Sequence, residues 1–235
     1  MARILYIFPH PDDESFGPAP AIKQHLNQGH EVYLLTLTKG GSTKVRHDLG
    51  LSVDEMGDVR HKEMLAVEKA LGLTGMTVWD MPDSGLKDLC PMDIEEPIRH
   101  FIEELRPDIL VTYAVHGISG FFDHLVTHAV VKRVYCEMRK NGAVYLKRLA
   151  LFTLGPDDDT EGHFTLKASK AEDIDCVLNI AEDEAQAGLD ALACYETYKD
   201  VINKTGVDKR VHNDISFEFF GEDFKPPVSR IDEGI

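Results

Sequence analysis

A regular alternation of short, β-branched apolar runs with longer amphipathic stretches limits what this chain can fold into. Ile4-Leu5-Tyr6-Ile7, Glu31–Thr38, Met76–Trp79, Asp108–Tyr113 and Leu149–Leu154 have the length and composition of buried strands. Between them, Ala19–Gln28, Asp58–Leu71, Ile94–Leu105 and Asp123–Met138 read as helices, the first two closed by Gly29 and Gly72. This order predicts an α/β fold, a Rossmann-like, mostly parallel sheet flanked by helices with right-handed crossovers. At 235 residues and 43% hydrophobic content the chain can bury a sizeable core. We read residues 1–235 as one domain, with a core over about 1–154 and a small C-terminal α+β part over about 155–235. In that second part Pro156–Gly162 is acidic and reads as a solvated loop, and Phe164–Leu178 has room for short strands. Glu182–Lys199 reads as a helix, and the ISFEFF run after Asp214 as a last strand.

Charge narrows the function. Lys+Arg 25 against Asp+Glu 41 leaves a net charge of -16, which argues against a surface that tracks nucleic-acid phosphates. No apolar run approaches the ~18 residues of a membrane span, and Arg3 with so few apolar residues before Pro9 does not read as a signal peptide. Cys90, Cys136, Cys176 and Cys194 are far apart and read as reduced thiols of a cytoplasmic protein. No G-x-G-x-x-G follows the first strand, so dinucleotide binding has no support. A small-molecule substrate fits these limits. The state of assembly, a homo-oligomer included, is left open.

The chemistry is concentrated where the first strand ends, at Pro9-His10-Pro11-Asp12-Asp13-Glu14. Two prolines stop the ladder there and release polar residues into a loop at the carboxyl edge of the sheet, where open α/β folds bind ligands. An imidazole beside two carboxylates suits zinc, and manganese or iron also. His10 and Asp13 can ligate, leaving Asp12 to handle protons. A second half-site follows the Asp108–Tyr113 strand, where Asp123 reads as a helix N-cap that places His124 in the first turn. His124 would complete a two-histidine, one-aspartate set with an open fourth position, the pattern of catalytic zinc. His128, one turn further on, is a rival ligand. His116 opens the same loop, and Gly117 and Gly120 would let it fold back toward the site. The polar stretch Lys39–Gly57 has the length of a lid or binding loop.

Taken in order, these residues resemble the PIG-L/LmbE-like N-acetylglucosaminyl deacetylases. The resemblance is carried by His10-Pro11-Asp12-Asp13-Glu14, Arg60 with Glu63, Pro82-Asp83-Ser84-Gly85-Leu86, and Gly117-Ile118-Ser119-Gly120 leading to Asp123-His124. It implies a zinc-dependent hydrolase that removes an N-acetyl group from an N-acetylglucosamine-type sugar or conjugate. His10, Asp13 and His124 would hold the metal and Asp12 would be the general base toward an activated water. Arg60 and Asp123 would contact substrate, although Arg60 can equally be read as a helix-surface partner of Glu63. A zinc amidase or esterase with another small substrate shares every metal residue. The chain departs from the family at Phe121, where a histidine is usual, and at Tyr195-Glu196-Thr197-Tyr198, where H-x-S-Q is common. Without that histidine, His116 is the expected acid.

Overall fold

The computed structural model describes residues 1–158, 160–161 and 164–235. Strand β1 (Arg3–Phe8) is central. Its side chains alternate between two cores: Ile4, Tyr6 and Phe8 enter one, Leu5 and Ile7 the other. A strand buried on both faces needs this continuous apolar run. Helix α1 (Ala19–Asn27) returns the chain to β2 (Glu31–Thr38), which pairs parallel with β1 from Arg3↔Glu31 to Phe8↔Thr36. A four-residue helix α2 (Val45–Asp48) and the long α3 (Val53–Leu71) lead to β3 (Gly75–Met81), the parallel edge strand. Helix α4 (Pro91–Leu105) crosses to β4 (Ile109–Tyr113) on the other side of β1, and α5 (Phe122–Lys140) leads to β5 (Arg148–Thr153).

Residues 155–235 extend this same sheet. β7 (Ile215–Phe219) runs antiparallel to β5, and β6 (Cys176–Leu178) antiparallel to β7, giving the order β3-β2-β1-β4-β5-β7-β6. Helix α6 (Glu182–Ala193) packs over α1 and α3, and α7 (Lys199–Thr205) follows. The sheet is therefore mostly parallel and helix-covered, as the alternation requires. Its first strands diverge from β1 to both sides, so the carboxyl ends of β1 and β4 flank a topological switch point.

The helix boundaries that differ most from the sequence reading do so for identifiable reasons, local in three cases and tertiary in the fourth. Helix α3 starts at Val53 rather than Asp58, because Ser52 and Glu55 form a capping box, Glu55 N–H to Ser52 Oγ at 3.3 Å and Ser52 N–H to Glu55 Oε2 at 2.9 Å. With α2 also helical, the expected lid over 39–57 shrinks to short connections. Helix α4 begins three residues early, with Pro91 in its first turn. Helix α5 begins at Phe122, so Asp123 is inside its first turn and is not the N-cap. Helix α6 ends at Ala193 instead of Lys199, because Tyr195, Thr197 and Tyr198 are drawn toward α3 and the β1 loop. Of the acidic run 156–162, positions 159 and 162 lie outside the described residues. Asp158 is not merely solvated: it accepts from Gly155 N–H (2.7 Å) and from Asn213 Nδ2 (2.9 Å).

Candidate active site

The turn after β1 is built to hold its carboxylates still. Asp12 adopts φ 85°, a conformation that aspartate tolerates better than most side chains. Its carbonyl accepts from Ser15 N–H (2.8 Å) and Phe16 N–H (2.7 Å), and its own N–H donates to Tyr195 Oη (2.8 Å). Tyr195 in turn donates to the buried Glu14 (2.7 Å), which also accepts from Ser15 Oγ (2.6 Å). One residue on, Asp13 accepts from His10 N–H through Oδ2 (2.8 Å) and from Tyr113 Oη through Oδ1 (2.7 Å). Glu14, Tyr113 and Tyr195 were given no site role from the sequence, although Glu14 and Tyr195 stand in the motifs it singled out. The Glu14 carboxylate directly after two others was the available signal, and the tyrosines gave none.

Around this turn the structure gathers His10, Asp13 and His124, whose ligating atoms all lie within 4.8 Å of one another. His124 Nε2 is 3.4 Å from Asp13 Oδ1 and His10 Nδ1 is 3.6 Å from Asp13 Oδ2. The opposite nitrogen of each ring has a partner that fixes its tautomer. His124 Nδ1 is 3.0 Å from the carbonyl of Gly117, which can only accept, so Nδ1 carries the proton and Nε2 offers a lone pair. His10 Nε2 sits 3.2 Å from Asp123 Oδ2 and 3.3 Å from Asp83 Oδ1, both acceptors, so His10 Nδ1 is the nitrogen left for a metal. Tyr113 stacks flat on His124 (4.4 Å, 9°) and fixes the plane of its ring. Gly117 has φ 62°, and a Cβ there would lie 2.8 Å from His124 Cβ, so only glycine brings that carbonyl so close.

These donors fit a divalent cation. Two imidazoles and a carboxylate converge with their lone pairs inward, and each imidazole is oriented from behind, as metal-bound histidines are. The charge balance agrees. Burial lowers the His10 pKa, but hydrogen bonds to Asp123 and Asp83 and the field of Asp13 outweigh it, so His10 rises to about 10. The carboxylates thus favour positive charge at this spot, carried by a proton on His10 when no cation is bound, a proton that a cation would have to displace from Nδ1. Burial pushes the His124 imidazole down, toward the neutral form a ligand needs.

Asp12 stands beside this set with a different partner. Its Oδ2 lies 2.5 Å from Arg60 Nη2, which also donates to Pro11 O (2.7 Å), while Arg60 Nη1 donates to Gly40 O (3.2 Å). The guanidinium is buried and lies over the ring of Tyr198 at 4.1 Å. Burial raises the Asp12 carboxyl against the pull of Arg60, and Asp13 and Glu14 raise it further, to about 7. The Arg60–Glu63 surface pair does not form: Glu63 accepts from Thr197 N–H (2.8 Å) and Thr197 Oγ1 (2.9 Å). The segment Tyr195-Glu196-Thr197-Tyr198 therefore closes over α3 and frames Arg60, with Thr197 and Glu63 meeting across 134 positions.

Of the remaining candidates, Asp123 sits directly behind His10 and forms with it and Asp83 a second group that could hold a cation, while His116 and His128 sit elsewhere. Asp123 is buried (2% exposed) and spends its oxygens on His10, Ser84 N–H (2.8 Å) and Leu86 N–H (3.3 Å), away from the cavity wall. His116 does not line the cavity either. Its Nδ1 accepts from Ile118 N–H (3.1 Å), and Nε2 meets Ser169 Oγ (3.2 Å) and Thr153 Oγ1 (3.3 Å). His128 faces Tyr113 O (2.8 Å) and belongs to no cation-binding group among the described residues.

The cluster forms one end of a cavity of about 640 Å³. His10, Asp12, Asp13, Arg60, Asp83, Tyr113 and His124 line that end, and much of the remaining wall is apolar. Two imidazoles and a carboxylate that could hold a divalent cation, beside the half-buried Asp12, sit at the carboxyl edge of an open α/β sheet, where such folds bind ligands. Residues 5–135 match the family of GlcNAc-PI de-N-acetylases (PIG-L), and the chain belongs to it. A 1D-myo-inositol 2-acetamido-2-deoxy-alpha-D-glucopyranoside deacetylase of Thermomonospora curvata is 32% identical over 154 residues, 56% of this chain and 51% of that protein. The chain spans about half the length of the curated relatives it matches. Over nearly its full length the fold is similar to a deacetylase of teicoplanin biosynthesis, with a TM-score of 0.71, 17% identity, and 92% and 97% of the two chains covered. It is also similar to the 4-carboxy-2-hydroxymuconate hydratase of Pseudomonas putida, with a TM-score of 0.67, 14% identity and all of both chains covered. One fold thus hosts different reactions, and the reaction must be argued from the site.

Proposed function

We propose that this chain is a metal-dependent N-deacetylase that hydrolyses the acetamide of an N-acetylglucosamine-type sugar or conjugate. The observation that carries this reading is the inward convergence of His10, Asp13 and His124 beside a carboxylate, Asp12, that is held by Arg60 and left out of the ligand set. Zinc suits the two imidazoles and one carboxylate best, with manganese or iron as the other candidates. An ion bound there supplies Lewis-acid polarisation of the amide carbonyl and lowers the pKa of a water. Asp12 Oδ1 takes the proton of the attacking water, while Arg60 fixes Oδ2 and stabilises the carboxylate before transfer. Asp12, once protonated, can hand the proton to the departing amine. Asp123 orients His10, and Asp83 does so from the cavity side. His116 keeps a structural share, pinning the Gly117 loop to Thr153 and Ser169. Deacetylation of inositol-linked N-acetylglucosamine is the activity named for the Thermomonospora curvata relative, and this supports an amino-sugar conjugate as substrate.

The cytoplasmic location belongs to the same proposal; all four cysteines are free, and among the described residues no helix is long and apolar enough to cross a membrane. The test is acetate release from N-acetylglucosamine conjugates by protein reconstituted with Zn²⁺, Mn²⁺ or Fe²⁺. Acetate release with one of these metals supports the reading. A protein that binds the metal and hydrolyses none of the conjugates, but cleaves an ester or another amide, supports the wider amidase or esterase reading instead.

A further inference from the structure

We infer that the substrate carries an apolar substituent, an alkyl or aryl group next to the acylated amino sugar, and that the C-terminal wall of the cavity is its binding site. The inference rests on the deacetylase reading above for the sugar, and on the cavity lining for the substituent. Away from the cation cluster most of the wall's surface is apolar, supplied by Phe16, Phe152, Leu154, Val201, Val211 and Ile215, with Arg210, Asn213 and Asp214 as polar neighbours along it. A pyranose has hydroxyls on every edge, and burying them against the apolar side chains costs hydrogen bonds that those side chains cannot return. An alkyl chain loses nothing there and gains from leaving water.

Two further observations agree. Val201, Val211 and Ile215 come from α7, the segment after it and β7, beyond residues 5–135 that match the family, so this wall belongs to the chain's own C-terminal part. At the cavity wall beside His124, Phe121 is half exposed and packs edge-on against the His124 ring (5.7 Å) and against Phe164 (5.8 Å). Exposed aromatic rings at the mouth of an apolar cavity extend the same surface outward. The apolar group has two chemical sources: the aglycone at the anomeric oxygen, or the acyl chain on nitrogen.

Titration calorimetry of the metal-loaded protein separates them. One pair of probes is methyl and hexyl β-D-glucoside, which have no amide to cleave; the other is N-acetyl- and N-hexanoyl-glucosamine, titrated into the metal-loaded Asp12→Asn variant so that they are not turned over. Each buried methylene adds about fourfold in affinity, so at least one hexyl or hexanoyl probe should bind about 50-fold or more tightly than its short partner. The pair that shows the gain identifies the source. Gains below about threefold in both pairs overturn the inference. Val201→Asp, on the half-buried face of α7, and Val211→Asn should each cut the gain by about tenfold or more, with melting curves confirming the fold. A full gain retained in both folded variants places the chain elsewhere and also overturns it. Carboxylate release from the two amides, measured in parallel, tests the deacetylase reading separately. Hydrolysis without a chain-length gain rejects the apolar site alone, and a gain without hydrolysis rejects the deacetylase alone.

Discussion

Asp12 and Asp13 are adjacent and chemically identical, yet the fold gives them different work. Asp13 is tied by His10 N–H and Tyr113 Oη and points at two imidazoles, whereas Asp12 points at Arg60. Asp12→Asn should therefore keep about one metal per chain and lose about 10²–10⁴-fold in kcat. Metal analysis with steady-state kinetics checks this, and loss of metal in that variant would make Asp12 a ligand. His124→Ala should lose the metal while His128→Ala keeps it, since His128 is bonded to Tyr113 O. Retained metal in His124→Ala would sink the ligand assignment. Arg60→Ala leaves the half-buried Asp12 without its cation, a change that should cost less than the about 3–5 kcal/mol of a fully buried pair. We expect kcat to fall with little change in KM, because the lost contact is to Asp12. A raised KM at unchanged kcat would return Arg60 to direct substrate binding.

At the scale of elements, the loops position the site and the helices hold the loops. The 114–120 loop brings Gly117 O to His124, and its left-handed Gly117 cannot accept a side chain without moving that ring. His116 anchors this loop through Ser169 and Thr153. His116→Ala should accordingly lower metal affinity modestly and leave the shape of the pH–rate profile unchanged. Disappearance of the basic limb with metal intact would instead restore the acid role expected from the sequence. Helix α3 carries Arg60 and Glu63 and depends on its capping box; Ser52→Ala should cost about 1 kcal/mol in urea unfolding.

Across the whole molecule, buried histidines couple stability to pH. His25 is fully buried beside Tyr6 Oη (3.1 Å), and its Nε2 has no hydrogen-bond partner among the described residues. Burial, with the neighbouring His30 adding to it, pushes its pKa down to about 3. The unfolded chain takes up this proton near pH 6.5 and the folded one does not. His25 therefore stabilises the fold fully above about pH 6.5, and the contribution is lost as pH falls from there toward 3, by ~1.4 kcal/mol per pH unit. Unfolding free energies of wild type and His25→Asn at pH 7 and pH 5 should differ in slope by about one proton. Equal slopes would show that His25 is charged in the folded state.

Strand and helix order, the central place of β1 and the gathering of polar residues at its carboxyl end were all legible in the sequence, because each rests on local periodicity or on proline. The same holds for the approach of His10, Asp13 and His124 to one another, since a strand-end motif and a helix start following a neighbouring strand meet at one sheet edge. The capping box of α3 was equally local, and Ser52 with Glu55 stood in plain view. Other features depended on residues far apart in the chain. Tyr195 reaches Asp12 across 183 positions, and Thr197 reaches Glu63 across 134. No periodicity encodes such contacts, so the early end of α6, the burial of Arg60 and the use of Asp123 behind His10 were set by packing. His116 was assigned by its distance along the loop, but Ser169 and Thr153 on other segments decided where its ring went. Side-chain chemistry and short-range spacing name the candidates for a site, whereas the direction each candidate faces is a tertiary property, fixed by which partner offers the better hydrogen bond once water has been excluded.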